Sequence, residues 1–274
     1  MEIEKIKEHI KDVLVETNFS NLGEKKVGKV RDIYIKDDKI TLISTDRHSS
    51  FDRIIAYVPF KGEVLNQISL FWFDKTKDII QNHVLNTPDP NVVVVKKCSP
   101  LPIECVMRGY ITGVTGTSLW THYKDGKRDF GNFVLADGLK KNQKLEEPVF
   151  TPTTKSDEHD RPITPTEIVS EGLLSQEMTD ELEKTAKTLF KRGQEIALSR
   201  GLILVDTKYE FGLDENGKLT LIDEIHTPDS SRYWKADTYM ECFDKNEEPE
   251  YFDKEFLRLW FKEHCDPYKD KVIP

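Results

Sequence analysis

The chain has 274 residues, 37% hydrophobic and 32% charged, with 40 Lys+Arg against 49 Asp+Glu and a formal net charge of −9. This composition excludes disordered, collagen-like and membrane-spanning classes. The acidic balance argues against nonspecific binding to DNA or RNA, whose phosphate backbones are held by clustered Lys and Arg. At roughly 100–200 residues per domain, the length suits two lobes or one enzyme-sized unit. Small phosphorylated ligands stay open, because a few well-placed cations suffice for them. Cys98, Cys105, Cys242 and Cys265 show neither a C-x-x-C pair nor zinc-finger spacing. Met1–Lys5 lacks the apolar stretch of a signal peptide, and no apolar run reaches membrane-spanning length. The expectation is a cytoplasmic protein with reduced thiols and no membrane partner.

In chain order, Ile6, Ile10, Val13 and Leu14 are spaced for an opening helix over 4–15. Residues 25–58 alternate as strands, with a turn at Asp37-Asp38, and 62–80 reads as a helix. Two β-rich segments follow, 91–97 and 103–108, split by Ser99-Pro100-Leu101-Pro102. Prolines lack a backbone donor, so a break in the ladder and an inter-lobe hinge are expected there. Residues 110–160 are rich in Gly, Thr, Asp and Pro and read as a loop-dominated stretch, either functional or disordered. Thr164-Pro165-Thr166-Glu167 has capping-box spacing. A long helix is expected over 175–200, ended by Gly201, then a β-hairpin over 202–226 and a helical tail over 253–264.

The hairpin carries the chemistry. Strand alternation puts Asp206, Lys208 and Glu210 on one face and Tyr209 and Phe211 on the other. If Asn216-Gly217 forms a two-residue loop, Glu210 faces Asp223 directly; if Glu215-Asn216 does, Asp223 becomes a diagonal neighbour. Either register sets two carboxylates side by side, which is destabilising unless a cation offsets them. Mg²⁺ is typically held by one or two carboxylates plus substrate phosphates. A solvated hairpin face is the commoner meaning of such a pattern, but the apolar run 202–205 leading into Asp206 weighs against it.

Cations for a phosphate are present elsewhere. Gly28-Lys29-Val30-Arg31 combines a permissive glycine with two cations on one strand face, without matching a P-loop. Arg108 ends a strand ahead of Gly113, Gly116, Thr117 and Ser118, and Arg232 follows Pro228-Asp229-Ser230-Ser231. Guanidinium forks and hydroxyls suit a phosphate monoester. The segment Asp46–Asp52 follows a strand and is placed to present polar groups, or to form an Asx turn. The seven histidines show no metal-ligand spacing, and G-x-S-x-G is absent.

Taken in order, the blocks Gly28–Asp32, Thr45–Asp52, Glu104–Tyr110, Leu204–Gly212 and Asp223–Arg232 resemble those of the SAICAR synthetase (phosphoribosylaminoimidazole-succinocarboxamide synthase) family. The likeness spans about residues 20 to 262. It implies an α+β, two-lobed, kinase-like or ATP-grasp-like architecture. A small β-rich ATP-binding lobe would occupy 1–100, and a larger α+β lobe with metal and ribotide sites 101–274. The implied reaction joins L-aspartate to a carboxyaminoimidazole ribotide (CAIR) with conversion of ATP to ADP and phosphate, by way of an acyl phosphate, in purine synthesis. By the same resemblance, Gly28, Lys29 and Arg31 cover the ATP phosphates, Lys97 and Cys98 face adenine, and Lys155 lies on the nucleotide side. Glu210 and Asp223 ligate Mg²⁺ beside the nucleotide. Arg108, Ser118 and Arg232 hold the ribotide phosphate, with Asp229, Ser231, Asp46 and Ser49 on the substrate side. Lys208 lies near the reacting carboxylate, and Asp206 orients or deprotonates the incoming amine. A small-molecule kinase on the same scaffold and a nonenzymatic nucleotide-binding module are the competing readings. Monomer and homodimer are both left open.

Overall fold

Antiparallel pairing organises the chain around two sheets. The structure, a computed structural model, describes residues 3–51, 53–155, 161–266 and 270. Asp52, of the block Thr45–Asp52, and residues 156–160, of the stretch 110–160, lie outside them. After helix α1 (Ile3–Glu8) come β1 (Glu24–Val27), β2 (Arg31–Lys36), β3 (Lys39–Ser44), the hairpin β4 (Arg47–Ser50) and β5 (Arg53–Tyr57), and helix α2 (Lys61–Thr76). Strands β6 (Val84–Asp89) and β7 (Val92–Lys96) complete a five-stranded sheet of order β1-β2-β3-β7-β6.

The second sheet is built on two long strands, β8 (Ser99–Ile111) and β11 (Leu202–Leu213). Between them in sequence lie α3 (Leu119–Lys124), β9 (Gln143–Phe150), β10 (Thr153–Thr154), α4 (Pro165–Ser170) and α5 (Gln176–Leu198). After β11 follow β12 (Leu219–Ile222), β13 (Ser231–Lys235), α6 (Ala236–Lys245) and α7 (Glu255–His264). One side of β11 pairs with β8. Its other side pairs with β13 over Leu202–Thr207 and with β12 over Glu210–Leu213. The chain therefore leaves the sheet after Ile222 and returns at Ser231, and the excursion 223–230 passes beside Lys208, whose N–H donates to the Ser230 carbonyl at 3.1 Å.

Helix α5 covers one face of this sheet. Leu182, Ala186, Leu189, Phe190, Gly193 and Ala197 recur at helical spacing and are buried against Leu204, Tyr209 and Phe211. A register shift between Leu204 and Asp206 resets the alternation, so Leu204 and Tyr209 both join the core while Asp206, Lys208 and Glu210 turn to the opposite face. In the first sheet a buried pair does the anchoring. Arg47 Nη2 donates to Asp32 Oδ1 at 3.0 Å, and Asp32 Oδ2 accepts from the Thr17 N–H and hydroxyl at 2.6 and 2.9 Å.

Several sequence expectations are revised. The opening helix stops at Glu8, because Asp46 Oδ2 takes the Leu14 N–H at 2.8 Å and draws the following segment into extended chain. Pro100 and Pro102 lie inside strand β8, and the ladder to β11 is interrupted there as expected: the pairing shifts register between Glu210–Glu104 and Gly212–Pro100, although the strand itself runs on. The stretch 110–160 carries α3, β9 and β10 rather than loop alone, with its own apolar cluster around Ile111, Leu119, Tyr123, Leu135 and Leu145. The capping box at Thr164 and Glu167 is present with both reciprocal bonds. All four cysteines are free thiols.

Two substitutions test this packing. A Cβ at Gly193 would lie 2.5 Å from His226 Cε1 and 2.7 Å from Leu204 Cδ2. Gly193→Ala is expected to cost about 1–3 kcal/mol through overpacking, read as a lower urea midpoint. Asp32→Ala leaves the Arg47 guanidinium buried without its carboxylate and is expected to cost about 3–5 kcal/mol in the same measurement.

Candidate functional site

Three adjacent strands place the charged groups. On β11 the row Asp206, Lys208, Glu210 faces away from α5, and β8 sets Arg108 directly opposite Asp206 and Glu104 opposite Glu210. Strand β13 sets Arg232 against Asp206 from the other side. Asp206 is thus flanked by arginines from both neighbouring strands. Arg232 Nη1 lies 2.5 Å and Arg108 Nη1 3.6 Å from Asp206 Oδ2.

These groups line a cavity of about 170 Å³ whose wall includes Arg108, Ser118, Asp206, Lys208, Asp229, Ser231 and Arg232. Arg108 is further fixed by donating from Nε to Thr151 Oγ1 at 2.8 Å and from Nη2 to the Thr117 carbonyl at 3.1 Å. Burial pulls its pKa down to about 10 against the pull of Asp206, while the carboxylates Asp206 and Glu255 outweigh burial and raise that of Arg232. Gly113, at φ 93°, lets the loop close tightly: a Cβ there would sit 2.4 Å from Ser118 Oγ and 3.0 Å from Arg232 Nη2. Ser118 Oγ accepts from the Thr115 N–H at 3.1 Å. Ser231 Oγ lies 2.7 Å from Thr207 Oγ1. The Asp229 carboxylate holds Lys61 Nζ at 2.7 Å and Lys254 Nζ at 3.3 Å.

A second cluster adjoins it. Lys208 Nζ donates to Glu104 Oε1 at 2.6 Å and to Glu210 Oε1 at 2.7 Å, and Lys155 bonds the other Glu210 oxygen. Arg31, at the start of β2, crosses between the sheets to Asp223 Oδ1 at 2.6 Å and Glu224 Oε1 at 3.2 Å. Burial pushes the Asp223 carboxyl up, but Arg31 and Lys208 outweigh it and hold the pKa at about 2. Glu224 moves the other way, raised by burial and by Asp223 despite Arg31. Burial alone would lower the Lys208 ammonium, yet Glu210, Glu104 and Asp223 raise it.

Both predicted hairpin registers are corrected. Glu210 pairs with Ile222, and the loop spans Glu215–Gly217 between Asp214 and Lys218. Plain alternation from that register would send Asp223 to the core face. Its left-handed backbone, φ 66°, turns the side chain back to Arg31 instead. The carboxylate that faces Glu210 across strands is Glu104, on β8.

Of the other predicted residues, Gly28 and Lys29 form the turn between β1 and β2, closed by Gly28 N–H donating to the Arg31 carbonyl at 2.8 Å. Arg47 grips this turn from behind, donating to the Gly28 carbonyl at 3.0 Å and the Lys29 carbonyl at 3.1 Å. Lys97 and Cys98 occupy the link from β7 to β8 and join neither cluster. Asp46 and Ser49 do not line the cavity. Asp46 spends both oxygens on the N–H groups of Leu14 and Gly62, and Ser49 offers its carbonyl to Lys254 Nζ at 3.3 Å. Sequence reasoning assigned no role to Glu104, Glu224, Lys61, Lys254 or Arg258. For Glu104 a signal existed: it precedes Arg108 by four residues, hence shares its strand face.

The donor set suits a hard divalent cation. Glu210 and Asp223 offer carboxylate oxygens, and among the described residues no cluster of three or more His, Cys, Asp or Glu forms a closed cage. Among the described residues, no helix is long and apolar enough to cross a membrane.

The family model of SAICAR synthetase matches residues 24–274. The chain is 58% identical over 261 residues to the phosphoribosylaminoimidazole-succinocarboxamide synthase of Legionella pneumophila (strain Paris), covering 95% of this chain and 83% of that relative. Against the chloroplastic enzyme of the same name from Vigna aconitifolia the identity is 54% over 272 residues, covering 98% and 80%. Among solved structures, the SAICAR synthase of Saccharomyces cerevisiae complexed with SAICAR superposes with a TM-score of 0.79 at 30% identity, covering 95% of this chain and 91% of that one. A type-2 SAICAR synthetase in complex with ADP gives a TM-score of 0.70 at 28% identity, covering 86% and 90%. The mixed α+β fold with its two antiparallel sheets is therefore the ATP-grasp-like fold of these enzymes, and the chain belongs to the SAICAR synthetase family.

Proposed function

We propose that the two clusters are the two halves of one ligase site, in which ATP drives the joining of L-aspartate to CAIR to give SAICAR, ADP and phosphate. The observation that carries this reading is the row Arg108–Asp206–Arg232, a pair of buried guanidinium groups on one carboxylate, next to the Lys208–Glu210 cluster. A kinase for a small alcohol needs no second phosphate-binding pair; a ribotide substrate does.

A carboxylate resists attack by an amine. A carboxylate oxygen of CAIR therefore first attacks the γ-phosphorus of ATP, and the bond to the ADP oxygen breaks. The aspartate amine then attacks the acyl carbon, phosphate departs, and the amine gives up a proton. The chain's part is to position groups and neutralise charge. Arg108, Ser118 and Arg232 hold the ribotide phosphate, with Asp206 fixing both guanidinium groups. Since Asp206 Oδ2 is already engaged by them, we assign it to positioning rather than to proton transfer. Lys208, cationic between Glu104 and Glu210, lies on the wall of the cavity and faces the carboxylate that is activated. Lys29 and Arg31 reach the ATP phosphates from the turn that Arg47 braces, and Lys155 approaches from β10. Glu210 and Asp223 would hold Mg²⁺, which when bound neutralises the phosphate oxygens.

The test is ADP release with Mg·ATP and CAIR, with and without L-aspartate, alongside absorbance of the succinocarboxamide product. Release is expected to require both co-substrates; release without aspartate, yielding a stable phosphorylated product, would support the kinase instead. Glu210→Ala should lower kcat by about 100-fold or more, as loss of charge stabilisation at the transferring phosphoryl group does. Arg108→Ala should act mainly on KM for CAIR, raising it by about tenfold to a hundredfold through loss of charge-assisted hydrogen bonds. An unchanged KM for CAIR in that variant would remove Arg108 from the ribotide site.

A further inference from the structure

The excursion 223–230 supplies residues to both clusters, and it is fastened through a side chain that belongs to neither, His226. This residue is fully buried and holds a left-handed backbone, φ 52°. Its Nε2 lies 2.6 Å from the hydroxyl of Tyr209, which is also fully buried. Tyr209 is the core-facing residue between Lys208 and Glu210 on β11, so the contact ties the excursion to the backbone that carries both. The His226 carbonyl accepts from the Tyr233 hydroxyl at 2.7 Å, and Tyr233 follows Arg232 on β13. The ring sits in a fitted slot. Trp72 of α2 meets it edge-on at 4.7 Å between centroids, and Gly193 of α5 leaves the room that a Cβ would fill, 2.5 Å from Cε1. Within the excursion, Thr227 Oγ1 donates to Glu224 at 2.5 Å and accepts from the Asp229 and Ser230 N–H groups at 3.2 Å, so a displacement at His226 is passed to either side. Packing alone does not account for a histidine here. Its Nδ1 is buried with no hydrogen-bond partner among the described residues, a cost that an apolar side chain of similar size would avoid. The left-handed backbone of a residue other than glycine adds to that cost. Burial pushes the imidazole pKa down to about 3, so the ring acts as a neutral hydrogen-bonding group.

We propose that the Tyr209–His226 hydrogen bond is a positioning contact for phosphoryl transfer, holding the excursion against β11 so that Asp223 stands beside Lys208 and Glu210; this rests on the ligase reading above. Neither side chain touches a reactant. A hydrogen bond fixes a separation, whereas apolar contact alone lets two elements slide past each other. A shift of about 1 Å in a reacting arrangement can cost about a hundredfold in rate, even when its cause lies away from the chemistry. The ribotide side is held differently, by Arg108 and Arg232 on strands that pair directly with β11, so the contact bears on turnover rather than on CAIR binding.

Steady-state kinetics and thermal melting of Tyr209→Phe, His226→Asn and His226→Gln test the assignment. Asn suits a left-handed backbone but is too short to reach Tyr209, while Gln can place a polar atom where Nε2 stands. With folding checked by near-UV circular dichroism and assays run well below each melting temperature, kcat is expected to fall by about tenfold to a hundredfold in Tyr209→Phe and His226→Asn, with KM for CAIR within about twofold. His226→Gln should recover most of the lost kcat. The double variant of Tyr209→Phe with His226→Asn should be no slower than the worse single variant, since both remove the same contact. Either single variant that folds decides the question by itself. A lower melting temperature with kcat unchanged would make the contact purely structural and overturn the proposal. Additive losses in the double variant would also overturn it, because the two side chains would then act separately. Aspartate-independent ADP release by the wild type would overturn the ligase reading, and the same non-additive loss measured on that release would still support the contact.

Discussion

Glu104 and Glu210 face one another across two adjacent strands, an arrangement that would push those strands apart were the Lys208 ammonium not held between them. Everything around it depends on this contact. It lets β8 and β11 keep their register through the charged row, and that register sets Arg108 opposite Asp206 four residues further along. It also determines what Lys208 can do. Burial alone would favour the neutral amine, but the surrounding carboxylates raise its pKa, so the group stays an ammonium and acts through its charge rather than as a base.

The same logic extends to the row beside it. Asp206 sits between arginines contributed by β8 and β13, and the excursion 223–230 between β12 and β13 brings Asp229 to the wall of the cavity and Asp223 and Glu224 to Arg31. Three strands thus carry a fixed pattern of alternating charge. Fixed charges cost little reorganisation when a reacting group arrives, which is the physical content of preorganisation. The rigidity comes from the other face, where α5 lies so close to β11 and His226 that only glycine fits at position 193.

The sequence made the face of β11 legible because strand alternation is local: Asp206, Lys208 and Glu210 follow from period two alone. The helix expected over 175–200 was equally legible from the glycine at 201, and it runs over Gln176–Leu198 with Gly201 in the left-handed region beyond its end. What failed was non-local or depended on backbone conformation. Glu104 opposes Glu210 only through a pairing between strands about a hundred residues apart in the chain. The three-residue hairpin loop overruled the Asn-Gly signal, and no pattern announces a left-handed Asp223. Asp46 illustrates the converse. In sequence it looks like a ligand group at a strand end, whereas the fold uses both of its oxygens to fasten backbone N–H groups at Leu14 and Gly62. Strand β13 and helices α3 and α6 escaped because buried polar and aromatic residues, among them Ser231, Arg232 and Trp234, blur their periodicity.

Arg31 joins these threads. It belongs to the first sheet yet bonds Asp223 and Glu224, which flank the second, so one guanidinium ties the two sheets across the place proposed for the phosphates. On that proposal the carboxylates that would hold a metal ion are engaged by Arg31, Lys208 and Lys155, and the cations that would meet phosphate are engaged by those same carboxylates. A metal-bound nucleotide would exchange these partners rather than create new ones: Glu210 and Asp223 would hold the ion, and Arg31, Lys208 and Lys155 would neutralise phosphate oxygens. Net affinity is the difference between two sets of buried ion pairs, which is modest even when each pair is strong. Such an exchange gives little binding energy to either the metal or the phosphate alone and much more to both together.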